Sequence, residues 1–598
     1  LIKDGKPIEE PGQMLLIKND PNYNEQWPRA LVPYKRIYGI DEPPRLPPLA
    51  NDGKLSPHLP EGTPYGLVGT SSLYKRETYP AGSVPKGGTT AGYSGTGRYG
   101  SPLDRGLGLI EDSNSLNWRL QGAEAGLYSN SDIHAIRILA MEPTTLRYPG
   151  RRFFNHPLER LRILGEIPVR KFNGDQQPID PDGNPDTSFL AKIPADIAWT
   201  FQTLDKDGMV LNMSQTWHQL RPGEIRNDCG GCHAHSQKPT RFEDTAAARP
   251  DYEIFDLTRY TPLLTSKTRD ESGKKWDVND ETGLRYESAV KNVEYFRDIK
   301  PILERSCVAC HTKDPNRAPA GQWLVLDDET SVRGYPAAYY NLVLNANVKP
   351  QAVNKRGHYT PSRYIVPMQS RSSLLAWKIY GRRLDGFSND DFPSPAIPGD
   401  PNSLQIAGQP VPPTPENLSR TDTDYTGSVM PPPEAVTGMR LGPDGREIKV
   451  EPLTDEDRRT IVRWIDLGCP IDLDYDPAQP QRRGYGWMLD DNRPTLTLTY
   501  PRAGANAELS RILIGMDDYY TGLNLSTFEV IADFPVDSVP AGHNLAPRFQ
   551  EKSQGVWELK LTRPITNLPR GNLLVSIRDR QGNVARIERK FWVSASGK

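Results

Sequence analysis

The chain has 598 residues, of which 36% are hydrophobic and 25% charged, so the composition excludes a disordered chain and predicts roughly three to five domains. The formal net charge of −2 gives no reason to expect nucleic acid or an anionic membrane as a partner. No apolar run reaches about 18 residues, so no membrane span is expected.

Residues 1–120 are predicted to form a β-rich N-terminal region. Apolar stretches such as QMLLIK, ALVPYKRIYGI and YGLVGTSSLY alternate there with proline-rich turns. Because so few strands cannot build a complete propeller, we expect a propeller remnant or a lid. The first residue is Leu1 rather than Met, from which we expect a removed leader or a missing N-terminal segment.

Residues 121–290 are predicted to form a β-rich middle domain. The segments IAWTFQTL and MVLNMSQTWHQL lie on either side of a turn at 205–208, which predicts two strands. The preceding stretch IDPDGNPDTS carries side-chain oxygens at calcium-loop spacing, on Asp180, Asp182, Asn184 and Asp186. It lacks the terminal glutamate of an EF-hand, so a calcium site and an Asp-rich turn are both open.

Four of the five cysteines fall into two C-x-x-C-H motifs. These are Cys229, Cys232 and His233, and Cys307, Cys310 and His311. The spacing is the attachment signature of haem c, in which the thiols form thioethers and the histidine ligates iron. A redox C-x-x-C, a zinc knuckle or a disulfide would use the same spacing, but two complete motifs favour two covalent haem c groups. Covalent attachment then predicts a periplasmic or extracellular location.

The first motif is followed closely by a second histidine. His233 is the expected iron ligand, while His235 and His218 lie near it in sequence. We expect these two to be candidate catalytic groups in the distal pocket of the first haem. For His235 the competing interpretation is a hydrogen-bonded loop histidine. His134 and His156 are further candidates from earlier in the chain.

The second motif lies in residues 291–475, which are predicted to form an α-helical cytochrome c-like domain. Phe296, Ile299 and Leu303 fall on one helical face before Cys307. Near the other end, LTDEDRRTIVRWIDLG has the capping pattern Thr454 with Asp457. Two helices crossing beside the haem are therefore expected, with a long loop between them.

The sixth iron ligand of the second haem is expected from that loop. Met430 stands in YTGSVMPPPEA, a proline-braced stretch before the last helix, and a thioether ligand would raise the reduction potential. Met368 and His358 are competing candidates. Cys469 remains outside the motifs, and a buried inert thiol is expected there, with a metal ligand or an intermolecular disulfide as alternatives.

Residues 495–598 are predicted to form an immunoglobulin-like β-sandwich. Short alternating segments such as TLTLTYP, STFEVIADF and ARIERKFWV are separated by turns. This part has no cysteine and no clustered chemistry, so it is expected to bind partners or to orient neighbouring domains.

Four segments of the chain together resemble the hydrazine synthase alpha subunit family of multihaem proteins. They are RILAMEP, RLRILGEIPVRKF, residues 188–237 and VMPPPEA…WIDLGCPID. The resemblance runs from about residue 30 to 475. It implies a β-propeller beside the first haem and haem attachment at both motifs. In that family the first motif's histidine binds zinc and a tyrosine four residues later ligates iron, whereas this chain has Gln237 there.

The expected function is electron transfer through both haems, with redox catalysis at the first haem as an open question. The alternative is a purely electron-transferring or structural subunit of a larger multihaem assembly, without substrate chemistry. Expected partners are redox cytochromes or other electron carriers, together with other protein subunits or further copies of the chain. The substrate is not specified by any motif.

Overall fold

The computed structural model describes residues 56–74, 130–143, 159–169, 177–213, 217–227, 239–288, 290–317, 324–345, 364–382, 429–473 and 490–594, with 2–3, 6–7, 33, 35–36, 39, 229, 362 and 384. Contacts divide the chain into two units, residues 1–45 and 46–598. In the first unit, β1 (Ile2–Lys3) and β2 (Lys6–Pro7) form an antiparallel pair. The elements named below lie in the second unit.

The middle of the chain forms two β-sheets around one apolar core. The strands are β3 (Tyr65–Thr70), β4 (Ala135–Pro143), β5 (Glu159–Pro168), β6 (Phe189–Pro194), β7 (Ala198–Leu204), β8 (Val210–Met213), β9 (His218–Gln219), β10 (Ile225–Arg226), β11 (Phe255–Asp256), β12 (Thr261–Ser266) and β13 (Thr282–Glu287). One sheet has the order β5-β4-β7-β8 with β9 beside β7, and the other has the order β10-β3-β6-β11. Both contribute to a core that includes Val68, Ile138, Ile193 and Trp199. Strands β12 and β13 form a separate hairpin.

Strand β4, with the sequence AIRILAMEP, is buried on both faces. Ile136 and Ile138 enter the core between the two sheets. Arg137 and Leu139 belong to the opposite face, because side chains alternate along a strand. Leu139 joins a second core that contains the helices of the chain. Arg137 is fully buried on that face and therefore needs polar partners there.

The described residues of 291–475 do not form the predicted α-helical cytochrome c-like domain. The α-helices described there are short: α1 (Lys300–Ser306), α2 (Ala337–Tyr339), α3 (Leu374–Tyr380), α4 (Pro433–Thr437) and α5 (Asp455–Asp466). Two π-helical turns, Tyr295–Ile299 and Tyr340–Leu344, extend them. Two small hairpins interrupt them, β14 (Ser331–Val332) with β15 (Tyr335–Pro336) and β16 (Arg440–Leu441) with β17 (Glu447–Ile448). The predicted fold class is therefore wrong, and the described structure is β-rich.

The prediction failed because the apolar helix faces pack against the middle β-sheet as well as against one another. Phe296, Ile299 and Leu303 do contribute to one core, but Leu139 and Ile163 of the middle sheet belong to the same core. Apolar spacing shows that a helix face is buried without showing what covers it. The helices therefore complete a β scaffold. Within the described residues, no helix is long and apolar enough to cross a membrane.

Helix α5 begins at the capping box that the sequence predicts. The Thr454 hydroxyl accepts from the amide of Asp457 at 3.1 Å, and the Asp457 carboxylate accepts from the amide of Thr454 at 2.8 Å. Ile461, Trp464 and Ile465 lie on its buried face. A capped, amphipathic helix can form locally, and its docking then depends on polar groups on the same buried side.

The docking of α5 rests on a buried charge network centred on Glu166 in β5. Arg463 of α5 donates to both Glu166 oxygens at 3.1 and 2.9 Å, and Arg137 of β4 donates to one of them at 2.8 Å. The amide of Leu264 donates to Glu166 at 2.8 Å. These donors hold the pKa of Glu166 far below its usual range, although burial alone would raise it. Arg137 also lies 3.6 Å from Asp466 of α5.

The C-terminal part contains two four-stranded sheets that share one core. Its strands are β18 (Thr495–Tyr500), β19 (Gly504–Asn506), β20 (Leu509–Asp517), β21 (Leu523–Ala532), β22 (Gln550–Ser553), β23 (Val556–Ile565), β24 (Asn567–Asp579) and β25 (Val584–Ser594). The strand orders are β18-β20-β23-β22 and β19-β25-β24-β21. Ile512 and Ile514 of one sheet are buried together with Val530 and Val575 of the other. The immunoglobulin-like assignment stays a prediction.

A second polar network joins the middle sheet to the C-terminal sheets. Glu142 of β4 accepts from Arg162 of β5 at 3.2 and 3.1 Å and from the Tyr519 hydroxyl at 2.7 Å. The Arg162 guanidinium lies 4.2 Å from the ring centre of Tyr520. These contacts fix the C-terminal sheets to the scaffold that carries the first motif.

The Glu166 network generates a stability prediction. Replacing Glu166 with Gln removes the carboxylate that Arg137 and Arg463 share. The described carboxylates that remain beside these two arginines are Asp466 at 3.6 Å and Glu456 at 3.1 Å. This change should cost about 3–5 kcal/mol of unfolding free energy. Urea unfolding followed by tryptophan fluorescence measures this loss. The matched control is Glu451→Gln, whose side chain is 68% exposed beside Arg305; it should change stability by less than about 0.5 kcal/mol. Equal losses in the two variants would contradict the assignment.

Candidate functional site

The second C-x-x-C-H motif begins at the C-terminal end of α1. Cys307 is the C-cap of this helix, and the amides of Cys310 and His311 donate to its carbonyl oxygen at 3.1 and 3.0 Å. One turn of chain therefore holds all three residues of the motif. Both cysteines are free thiols, and burial raises the pKa of Cys307 to about 12. The motif is thus a pair of neutral thiols next to an imidazole.

The His311 ring is oriented by a backbone carbonyl. Its Nδ1 lies 3.0 Å from the carbonyl oxygen of Leu324. Because a carbonyl only accepts, Nδ1 carries the hydrogen and Nε2 keeps its lone pair. Burial lowers the pKa of His311, and the nearby charges of Arg440 and Lys378 lower it further, which favours the neutral ring. A neutral imidazole with one nitrogen held by a carbonyl is the usual form of a metal-ligating histidine.

Met430 lies close to this motif in the fold. Its amide donates to the carbonyl oxygen of Lys378 at 2.9 Å, and the charge of Lys378 acts on His311. Helix α4 follows Met430, and its residue Ala435 shares a small buried cluster with Cys310. The cluster of Ala435 with Cys310 therefore brings the segment that begins at Met430, distant in sequence, to the neighbourhood of the second motif.

Of the two competing candidates, Met368 is the one that the structure describes. Met368 is buried in the helical core, and a Cβ added to Gly468 would lie 2.9 Å from its methyl carbon. His358 falls outside the described residues. Cys469 is fully buried, and burial raises the pKa of its thiol well above the usual value. This environment fits the inert thiol that the sequence predicts.

The first motif is described only at Cys229; Cys232, His233, His235 and Gln237 lie outside the described residues. Cys229 is half-buried and follows β10, which is an edge strand that pairs in parallel with β3. The first cysteine is therefore held at the edge of a β-sheet.

The histidines expected near the first motif lie in different environments. His218 is on β9, directly opposite Trp199 of β7, and the two ring centres are 4.9 Å apart. Nε2 of buried His134 lies 3.0 Å from the Thr282 hydroxyl. His134 therefore has a protein partner for that nitrogen, and His156 lies outside the described residues. No contact in the described part of the chain tests a catalytic role for His218.

The candidate calcium loop uses most of its oxygens within the protein. Asp180 accepts from the amides of Asp182 and Asn184 at 3.0 and 2.8 Å. Asp182 accepts from the Thr240 hydroxyl at 2.7 Å. Both Asp186 oxygens accept backbone amides, at 2.7 and 2.8 Å. One oxygen of Asp180 is buried without a donor. The calcium site stays a prediction.

A different group of carboxylates, in the C-terminal part, is close enough to share a cation. Within the described residues it comprises Asp490, Asp518 and Asp579, whose nearest oxygens lie within 4.8 Å of one another. Burial, together with neighbouring carboxylates, raises the pKa of Asp490 and of Asp518 to about 7. The three positions are too far apart in sequence for any motif to indicate them.

Sequence reasoning also missed the groups that surround His311. The Leu324 carbonyl is a backbone atom, and a backbone atom carries no side-chain signal. Lys378 and Arg440 are common surface residue types, so their position beside the motif is apparent only from the fold.

Comparison with known proteins identifies the class of the middle domain. Residues 132–234 match the family described as the hydrazine synthase alpha subunit middle domain. This range contains β4 to β10, described above, and ends just after the first motif. The predicted resemblance to the hydrazine synthase alpha subunit family is confirmed, and the family match lies in the middle domain.

The individual relatives cover parts of the chain. Hydrazine synthase subunit alpha of Kuenenia stuttgartiensis is 24% identical over 376 residues, which are 58% of this chain and 39% of the relative. The chain thus spans less than half the length of that curated relative. The solved structure of Kuenenia stuttgartiensis hydrazine synthase matches with 19% identity and a TM-score of 0.38, covering 71% of this chain and 45% of the other. An endo-β-1,4-mannanase from Thermotoga petrophila matches at 13% identity with a TM-score of 0.13, over 25% and 27% of the two chains.

The carboxylate group generates a pH prediction. A carboxyl whose folded pKa exceeds its unfolded value contributes stability that is present at low pH and lost as the pH rises through the folded pKa. At high pH the buried, ionised Asp518 carboxylate destabilises the folded state, and Asp518→Asn removes that charge. The substitution should raise the unfolding free energy by about 1 kcal/mol at pH 8, with a smaller gain at pH 5. Urea unfolding in a buffer with a chelator measures both values.

The matched control for this prediction is Glu588→Gln, a half-exposed carboxylate of the same C-terminal part. Its effect should be small and similar at the two pH values. A gain for Asp518→Asn that is larger at pH 5 than at pH 8 would contradict the raised pKa.

Proposed function

We propose that the chain is an electron-transfer protein with two covalently bound haem c groups. The observation that carries the proposal is the geometry of the second motif. Two free thiols stand one turn apart, and the neighbouring His311 is held by the Leu324 carbonyl with Nε2 available. A zinc knuckle would require further cysteine or histidine ligands. Within the described residues, the groups of three or more metal-ligating side chains do not include this motif.

In this proposal the residues of the second site have separate roles. Cys307 and Cys310 would bind the haem edge covalently, and His311 would ligate the iron through Nε2. Met430 would supply the sixth ligand, which leaves no position for a substrate and favours a high reduction potential. The bound haem supplies a one-electron iron couple. The Leu324 carbonyl would hold the imidazole in the ligating tautomer.

The first site is proposed to hold the other haem through Cys229, Cys232 and His233. A second candidate function, redox catalysis, belongs to this site. It is favoured by the family match over 132–234, because the matching family is named after an enzyme subunit. His235 and His218 are the proposed pocket residues. His218 is anchored against Trp199 of β7, whereas Cys229 follows β10 of the other sheet of the middle domain, so the two residues would come to the pocket from different sheets.

The cellular location and the partners of the protein follow from the same proposal. Covalent haem attachment implies a periplasmic or extracellular location. The curated relative is named a subunit, which supports other protein subunits as partners of this chain, alongside redox cytochromes or other electron carriers. The C-terminal sheets, proposed to be immunoglobulin-like, would provide contact surface for such an assembly.

Haem content tests the proposal directly. The full chain, produced with a haem c maturation system, should carry two haems by pyridine haemochrome assay and intact mass. Cys307→Ser with Cys310→Ser should remove one haem, and Cys229→Ser with Cys232→Ser should remove the other. Cys469→Ser is the matched control and should keep both. A chain that carries no covalent haem, or a control that loses one, would contradict the proposal.

The proposed role of Met430 as an iron ligand is tested by the coordination state of the haem. Met430→Ala should convert one haem to a five-coordinate, carbon monoxide-binding form and lower its reduction potential by about 0.1 V or more. Optical spectra and a spectroelectrochemical titration measure both changes. Met439→Ala is the control, since Met439 is 72% exposed and lies in the same segment. If Met430→Ala leaves both haems low-spin, the axial assignment is wrong.

A further inference from the structure

Arg440 is placed beside the second motif by a β-hairpin. It lies on β16 directly opposite Ile448 of β17. Directly opposed residues of an antiparallel pair project from the same face of the ribbon. Ile448 is buried in one cluster with Cys310 and Ala435. The side of the hairpin that carries Arg440 is therefore the side that covers Cys310.

The opposite face of the hairpin is exposed. The neighbouring pair, Leu441 and Glu447, projects the other way, and Leu441 is 64% exposed. Arg440, by contrast, is half-buried. These exposures agree with the strand register of the hairpin, which places the Arg440 guanidinium on the face that covers the second motif.

Arg440 has neither an ion pair nor a side-chain hydrogen bond within the described residues. Arg446, on the same hairpin, lies 3.8 Å from Asp444 and is 83% exposed. A half-buried guanidinium without an anion is unfavourable, and its planar donor array matches a carboxylate in two parallel hydrogen bonds. The site therefore calls for a carboxylate ligand.

We propose that Arg440 is a positioning residue that pairs with a propionate of the haem attached at Cys307 and Cys310. This inference rests on the proposed function, since the propionate is the carboxylate which that haem would bring to the motif. The positive charge would also favour the reduced iron, so it would raise the reduction potential of this haem relative to the first.

The test is a spectroelectrochemical titration of the full holoprotein, with the two haem potentials fitted separately. Arg440→Gln should lower the potential of one haem and leave the other unchanged. The expected shift is about tenfold in the reduction equilibrium, or 59 mV for a one-electron couple. Arg440→Lys keeps the charge and should restore most of the potential. Arg446→Gln is the matched control and should change neither haem.

Several outcomes would overturn the inference. One is an Arg440→Gln variant that still carries both haems and whose two haem potentials are unchanged. Another is an equal shift in Arg446→Gln, which would indicate only the net charge of the hairpin. A full shift in Arg440→Lys would show that the charge is not the cause. Failure of the proposed function is distinguishable, because the unmodified chain would then lack haem at the second motif before any titration.

Discussion

The described structure depends on the burial of Glu166 between two arginines from different elements. Arg137 comes from the middle sheet and Arg463 from helix α5, and all three side chains are almost completely shielded from water. A charge in such a place is tolerated only when it is paired and hydrogen-bonded, so the three groups must arrive together. The network makes the position of α5 on the sheet specific, whereas apolar contacts alone would allow sliding.

This constraint extends to the second motif. Helices α1 and α5 share one core with β4 and β5, and Tyr295 next to α1 packs its ring on Trp464 of α5. The end of α1, where Cys307 begins the motif, is thereby placed relative to the β scaffold. The helices are too short to build a core among themselves. Their amphipathic faces need the sheet, which is why this region is not a separate helical domain.

The surroundings of the second motif are assembled from distant parts of the chain. The Leu324 carbonyl orients His311, a carbonyl of α3 accepts from the Met430 amide, and the β16–β17 hairpin covers Cys310. Each contact is local and ordinary, but together they bring the thiols, the imidazole and a cation into one neighbourhood with the segment that begins at Met430. This combination is the chemical basis for the proposed haem, since burial weakens competition from water for each of these groups.

The sequence by itself determined the local features: the two C-x-x-C-H motifs, the strands around the 205–208 turn, the capping box of α5 and the strands after residue 495. These depend on residues that are neighbours in the chain, so spacing and periodicity reveal them. Only the tertiary structure decided what covers the apolar helix faces, where Met430 and Arg440 lie, and which carboxylates gather at Asp518. Those outcomes depend on contacts between residues tens to hundreds of positions apart. Packing and desolvation select the partner there and leave no periodic signal in the sequence.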